Sequence, residues 1–400
     1  MSSMISVQEA KSIVTKSVDP LDPRQVQLNQ ASGMTLAEDI LSPIDVPGFD
    51  QSNMDGYAIR FEDYRSGDLL SIGPVIQAGS TDDFSLVKGQ AARIFTGSAI
   101  PGNANTVVMQ EKTKVDEQGL LNIDDPGLES GTNVRKKGTD IRAGEKALAK
   151  GSLLTPAAIG FLASIGISAV KVYPNPSVVI LITGKEIKKP GESLQRGQLY
   201  DSNSYILTSV LEQLHITEVS IRWIDDDLEE LSKELDQAIS NFDLVLLTGG
   251  VSVGDFDFVG KAAMLTGVEE LFHKVKQRPG KPLFFGKKGR KIIFGLPGNP
   301  SSVLTCFYEY VTHAIEQMTK KKKLMTVERL PLAKAIQKKK GLTQFLKGNC
   351  ENGVVSALEA QESFRLSSFA TANCLIRFEE DQELLAAGDM VEVHLLSING

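Results

Sequence analysis

The chain has 400 residues, too many for one ordinary core at about 100–200 residues per domain, so two to four domains are expected. With 42% hydrophobic and 23% charged residues it has the composition of a folded globular chain, not a disordered one. A formal net charge of −7 excludes a general basic footprint for nucleic acid or an anionic membrane.

The N-terminal stretch "MSSMISVQEAKSIV" lacks the basic and apolar regions of a secretion signal. Instead, Ser6 and Glu9 have capping-box spacing for a helix that buries Ala10, Ile13 and Val14. Residues 1–45 and 141–175 read as helices with connectors, a helical linker interrupted by an inserted domain. That insert, residues 46–140, is rich in glycine and turn residues, and its short runs "YAIRF", "ARIF" and "TVVMQE" predict a β-rich unit. "PAAIGFLASIGISAV", from Pro156, is shorter than the about 20 residues of a membrane span and predicts a closely packed helix followed by a turn.

Residues 176–326 alternate strand and helix. "SVVILIT", "EVSIRWI", "DLVLLT" and "KIIFGL" are strand-like, with amphipathic segments such as "SNSYILTSVLEQL" and "DLEELSKELDQAI" between them. This alternation predicts an α/β domain with a mainly parallel sheet, whose ligands bind beyond the carboxyl ends of the strands. From residue 327 to 400 short β-like runs with an Asn352-Gly353 hairpin signal predict a small C-terminal β domain. The lysine runs at 320–323 and 338–340 read as solvated charges.

Cys306, Cys350 and Cys374 are scattered and form no C-x-x-C, which fits core thiols in a reducing cytoplasm. His215, His273, His313 and His394 have no zinc spacing, so any metal is expected to be a hard cation on carboxylates.

Two loops carry the chemistry. The first, "TGGVSVGDFDF", follows a strand and offers backbone donors at Gly249, Gly250 and Gly254 beside the acids Asp255 and Asp257. A P-loop requires Lys where Asp255 stands, and a carboxylate there repels the terminal phosphates, which argues against a simple ATP-hydrolysing loop. G-x-S-x-G through Ser252 matches a serine hydrolase elbow, but the neighbouring acids oppose an oxyanion and no second donor segment is present. Two readings remain: a phosphorylated ligand accompanied by Mg²⁺, or two aspartates that only cap the next helix. The second loop, "GLPGNPSS", ends a strand at a helix whose start is Asn299, Pro300 and Ser301, an anion-type site or simply a well-capped helix. Between the loops, "FHKVKQRPGKP" supplies Lys274, Arg278 and Lys281 as cations for an oxyanion.

Taken together, "FDQSNMDGYAIR", "IFTGSAIPGNANTVVMQE", "GTDIRAGE", "LITGKEI", "TGGVSVGDFDF", "RPGKP" and "GLPGNPSS" resemble the molybdopterin molybdenumtransferases, the MoeA type also found as the C-terminal part of gephyrin. The resemblance implies a multidomain α/β protein with a central MogA-like domain, a β-rich insert, a helical linker that also dimerises and a small C-terminal β-barrel-like domain. It implies Mg²⁺-dependent insertion of molybdenum from molybdate into adenylylated molybdopterin with release of AMP. A cytoplasmic homodimer is implied, each cleft shared between the α/β domain of one subunit and the β-rich domain of the other. Transient contacts with the molybdopterin adenylyltransferase and with molybdoenzyme apoproteins are expected, and none with nucleic acid or membrane.

Carried over by motif, Asp55, Thr96 and Asp140 are expected in the cleft from the β-rich side, and Glu186 and Asp257 from the α/β side. Gly249, Gly250, Ser252, Lys274, Arg278, Lys281, Pro297, Asn299, Pro300 and Ser301 are expected at the substrate. Asp257, Glu186 and one of Asp226 and Asp227, with Asp227 preferred, are the candidate metal ligands. Lys347 and Ser363 align only loosely. Lys185 replaces the acid usual beside Glu186, which leaves an ion pair as an alternative use of Glu186. Two rivals remain: a gephyrin-like scaffold without catalysis, disfavoured by the intact Asp55, Asp140 and Asp257, and a serine hydrolase through Ser252, disfavoured by the neighbouring acids.

Overall fold

The computed structural model describes residues 4–225, 227–250 and 258–398. Its centre is a six-stranded sheet in the order Val219–Ile224, Val178–Thr183, Leu244–Thr248, Lys291–Leu296, Pro282–Lys288 and Glu269–Lys274. The first four strands are parallel and the last two antiparallel, so the sheet is mainly parallel as the alternation predicted. All six residues of Val178–Thr183 and all five of Leu244–Thr248 are buried. This is why they read as continuous apolar runs: helices cover both faces. One face packs Ile180, Leu246 and Phe294 against helices that include Val7–Ser17 and Asn203–Gln213. The other packs Val179, Leu181 and Val245 against Leu228–Asn241 and Phe258–Leu265. Each such fully buried aliphatic side chain contributes about 1.5–3 kcal/mol.

The first helix starts where its sequence says. Glu9 N–H donates to Ser6 Oγ at 3.2 Å, and Ser6 N–H donates to Glu9 Oε2 at 2.8 Å, closing the capping box. Its apolar face, Val7, Ala10 and Val14, joins the α/β core. The segments read as a helical linker hold this helix and Pro156–Ser164, and also five short strands: Arg24–Gln27, Thr35–Leu36, Ile40–Leu41, Lys146–Leu148 and Ala169–Tyr173. Most of those strands are two to four residues long, too short for a period-2 pattern to register in sequence.

The insert is a six-stranded sheet in the order Thr106–Met109, Gly56–Ile59, Gln90–Ile94, Leu70–Ile76, Leu120–Ile123 and Thr113–Val115. The C-terminal domain is built on Met325–Pro331, Thr343–Glu351, Cys374–Phe378 and Met390–Ile398, with Val354–Ala357 returning from Thr343–Glu351 through Asn352 (φ 51°) and Gly353 (φ 75°). Both central residues of that turn are left-handed, the geometry an Asn-Gly hairpin signal predicts. Lys321 departs from expectation. It is buried and donates to Leu214 O at 3.1 Å, and burial lowers its ammonium to about 8, while Lys320, Lys322 and Lys323 are exposed.

Candidate active site

Three parallel strands end level with one another. Ile182 pairs with Thr248, Thr248 pairs with Leu296, and the chain leaves all three strands into loops at Gly184, Gly249 and Pro297. A cavity of about 710 Å³ opens there, lined among others by Glu186, Asp201, Asn203, Gly249, Pro297 and Asn299. A cleft at the carboxyl ends of such strands is where an α/β sheet places ligands.

Backbone geometry explains the residues at the first loop. Gly249 has φ 86°, and a Cβ there would lie 2.8 Å from Thr183 Oγ1 and 3.0 Å from the Thr183 carbonyl oxygen. Only glycine lets this loop pass so close to the neighbouring strand. Beyond Gly250, Ser252, Asp255 and Asp257 lie outside the described residues, as does Asp226.

Of the expected substrate and metal residues, Glu186, Gly249, Gly250, Pro297, Asn299 and Pro300 line the cavity. Glu186 is exposed, and its carboxylate folds back over Gly184. It forms no ion pair with a described residue, so the alternative pairing with Lys185 is not realised among them. Ser301 is turned away from the cavity: it is buried, and its hydroxyl donates to Arg365 O at 2.9 Å. Asn299 occupies the N-cap position without a side-chain cap, and its amide donates to Ser363 Oγ at 2.8 Å. Ser301 N–H is taken by Ser363 O at 3.2 Å. The donors expected for an anion at this helix start are thus partly engaged by the C-terminal domain. Asp227 caps the helix Leu228–Asn241, accepting from Glu230 N–H at 2.9 Å, and does not line the cavity.

Lys274, Arg278 and Lys281 sit on the hairpin leading to Pro282, which does line the cavity; Val275 N–H donates to Lys281 O at 3.0 Å across its neck. In the β-rich domain Thr96 donates to Asp55 Oδ1 twice, from N–H and from Oγ1, each at 2.8 Å. Those two bonds and the Arg93 charge hold the Asp55 carboxyl below its usual range. Asp140 is exposed on the loop anchored by its N–H to Val46 O at 2.9 Å. Asp55, Thr96 and Asp140 do not line the cavity of the α/β domain.

Three family descriptions match in succession: the MoeA N-terminal region (domain I and II) over residues 5–166, a probable molybdopterin binding domain over 179–317, and the MoeA C-terminal region (domain IV) over 329–396. The chain belongs to the MoeA family. A molybdopterin molybdenumtransferase of Haemophilus influenzae is 34% identical, the match covering 98% of this chain and 100% of the relative. One from a Nostoc species is 37% identical over 79% of this chain and 74% of its own. The solved molybdopterin biosynthesis MoeA protein of Pyrococcus horikoshii OT3 superposes with a TM-score of 0.81 at 30% identity, covering 98% of this chain and 100% of that one. A transferase role in molybdenum cofactor biosynthesis follows from that membership.

In this MoeA-family chain several cavity residues escaped sequence reasoning. Asp201, 4% exposed, accepts from Ser204 N–H at 3.1 Å and from Ser204 Oγ, so it fixes the start of the helix Asn203–Gln213. Asn203 Nδ2 donates to Gly298 O at 2.9 Å, tying that helix to the second loop, while its Oδ1 is buried and has no partner among the described residues. The "DSN" triplet before an amphipathic run is a helix-start signal that draws attention to both. Phe364 reaches the cavity from the C-terminal domain, an exposed aromatic in a loop with no local pattern to mark it. The nearby Lys347 is 3% exposed and donates to Ala360 O, Glu362 O and Arg365 O at 2.8, 3.3 and 3.0 Å. It therefore shapes the loop that delivers Ser363 and Phe364.

Proposed function

We propose that this chain inserts molybdenum from molybdate into adenylylated molybdopterin and releases AMP, as a cytoplasmic Mg²⁺-dependent homodimer. The observation that supports this most directly is the convergence of glycine loop, proline loop and acids in one cavity at the strand ends of a MoeA-family α/β domain. Gly249 and Gly250 let the first loop lie close against Thr183, which sets one wall of the cavity, and Pro297 and Pro300 stiffen the facing wall. Asn203 ties its helix to the second loop through Gly298 O, and its carbonyl oxygen, without a partner among the described residues, can accept from a donor on the substrate. Lys274, Arg278 and Lys281 form no ion pair with a described residue, so their charge is free for molybdate or phosphate.

Mg²⁺ is commonly held by one or two carboxylates together with substrate phosphates, and the exposed Glu186 carboxylate at the cavity is a donor of that kind. Both Asp201 oxygens are engaged by Ser204, whereas Glu186 is open to the cavity; Glu186 with Asp257 would hold the cation. Bound there, it would neutralise charge on the phosphoanhydride as AMP departs. The test is molybdate-dependent AMP release from adenylylated molybdopterin by the purified protein. Release that depends on molybdate and falls at least a hundredfold in Asp257→Ala and Glu186→Ala supports the reading; release without molybdate, or unchanged in both variants, refutes it.

A further inference from the structure

The lysine run 320–323 takes no part in the strand-end cavity, and three of its members line a cavity of their own. About 260 Å³ in volume, it is walled by Thr35, Gly151, Leu153, Lys320, Lys321 and Lys322. Two parts of the chain meet there. Thr35, Gly151 and Leu153 belong to the linker segments, where Thr35 and Leu153 form a β-bridge. The lysines follow the helix Thr312–Thr319 and precede the strand Met325–Pro331, so they connect the α/β domain to the C-terminal domain.

Cations after a helix C-terminus are stabilised by the macrodipole, and that suffices for the exposed Lys320 and Lys322. It does not suffice for Lys321. That residue is 5% exposed, its ammonium has three N–H donors, and among the described residues only Leu214 O, at 3.1 Å, accepts from it. Burial lowers the ammonium to about 8 with no carboxylate to offset it, and none of the three lysines forms an ion pair with a described residue. A charge taken out of water is ordinarily paired, because it gives up its hydration. The linker wall adds a second under-used group. Thr35 is 1% exposed, and its Oγ1 is buried with no hydrogen-bond partner among the described residues. An orphaned hydroxyl and an ammonium with spare donors therefore line one small space that two further ammonium groups border.

We propose that this cavity is a site for a small inorganic oxyanion of the phosphate class, which bridges the linker and the end of the α/β domain. Lysines meet such an ion as point charges, and the Thr35 hydroxyl donates to one of its oxygens. No carboxylate is among the lining residues, which favours an anion over a metal. The volume falls below the about 300–1,000 Å³ typical of sites for drug-sized ligands, so it suits a free ion better than a nucleotide. Leu214, which accepts from Lys321, closes the C-terminal end of the helix Asn203–Gln213, and Asn203 at its other end lines the strand-end cavity. The eleven residues of that helix put about 16 Å between the two places. An ion here holds the linker, which carries the β-rich insert, against the helix that shapes the strand-end cavity.

Inorganic phosphate is the probe, titrated calorimetrically at constant ionic strength into the full-length protein with Lys274, Arg278 and Lys281 changed to Ala, which removes the cations of the strand-end site. Saturable binding with a dissociation constant below about 1 mM is expected, and AMP should not displace the ion. In that background Lys320→Gln with Lys322→Gln should weaken binding about tenfold. Thr35→Val keeps the shape and strands no partner, so it should weaken binding about threefold to tenfold and leave the urea midpoint unchanged. Hydrogen exchange supplies the location: phosphate should slow exchange in residues 33–36, 150–154 and 319–322, and chloride at equal ionic strength should not. The proposal is overturned by an absence of saturable heat, by phosphate affinity that neither set of substitutions alters, by displacement with AMP, or by protection confined to the glycine and proline loops.

Discussion

At the scale of single residues, the strand-end loops are constrained by space more than by charge. Gly249→Ala would place a methyl 2.8 Å from Thr183 Oγ1 in a left-handed backbone, and Thr183 is itself tied by its hydroxyl to Thr248 O at 3.2 Å. It is expected to cost about 1–3 kcal/mol, read as a lower urea midpoint with an unchanged slope. Asn203 offers the complementary case. Asn203→Ala removes the tie to Gly298 O and a carbonyl oxygen that has no partner among the described residues, both at the cavity wall and neither in the core. Stability should fall by only about 0.5–1.5 kcal/mol, while KM for the adenylylated substrate rises about tenfold with kcat changed less. A KM that stays put would leave Asn203 as a loop tether alone. The family resemblance of "LITGKEI" led to Glu186, but chain geometry was needed to find Asp201 and Asn203, because a helix-start triplet carries no mark of which sheet edge it faces.

At the scale of elements, the long helix after the second loop is interrupted by a π-helical turn, Phe307–Val311, between Pro300–Cys306 and Thr312–Thr319. That turn carries Glu309, fully buried, to Lys11 Nζ at 2.5 Å on the first helix and His394 Nδ1 at 2.6 Å in the C-terminal domain. His394 Nε2 lies 2.9 Å from Glu392, which Arg377 also meets at 2.9 Å. One buried carboxylate thus joins three parts of the chain. Lys11→Met strips Glu309 of a cation and should cost about 3–5 kcal/mol, whereas Lys11→Met with Glu309→Leu and His394→Leu should recover most of that loss in chemical denaturation. The pH dependence has a definite sign. Although burial opposes it, Glu309 and Glu392 raise His394 above 6.5, so its contribution is fully present below 6.5 and is lost as pH rises through the raised value. Burial, helped by the Lys11 charge, lowers His313 to about 4, so between about 4 and 6.5 its unfolded form binds more protons and stability rises with pH. Glu392, held at about 2 by His394 and Arg377, loses its contribution as pH falls from 4.5 toward 2. Thermal melts should therefore show stability rising from acid toward pH 6.5 and declining above it, and His394→Gln should abolish the decline.

At the scale of the whole molecule, the parallel sheet was legible because its strands are buried on both faces and so appear as unbroken apolar runs, and the Asn352-Gly353 turn because its φ values admit few residues. The short strands of the segments around residues 24–41 and 146–173 were not, since two-residue pairings are made by tertiary context. Nor was the Lys11–Glu309–His394 cluster, whose members lie 298 and 85 positions apart. The same separation governs the site. Asp55 and Thr96 form one hydrogen-bonded unit in the β-rich domain, while Glu186 faces the cavity of the α/β domain that they do not line. If the two halves meet across a homodimer, each subunit lends its β-rich domain to its partner, and complementation separates this arrangement from a site within one chain. Asp55→Ala and Glu186→Ala should each be inactive as pure dimers. Mixed by co-expression, half of the dimers carry one variant of each kind, and each of those has one intact site of two. Molybdate-dependent AMP release should then return to about a quarter of the wild-type value. A cleft built within a single subunit gives no recovery at any mixing ratio, because every site would still lack either Asp55 or Glu186.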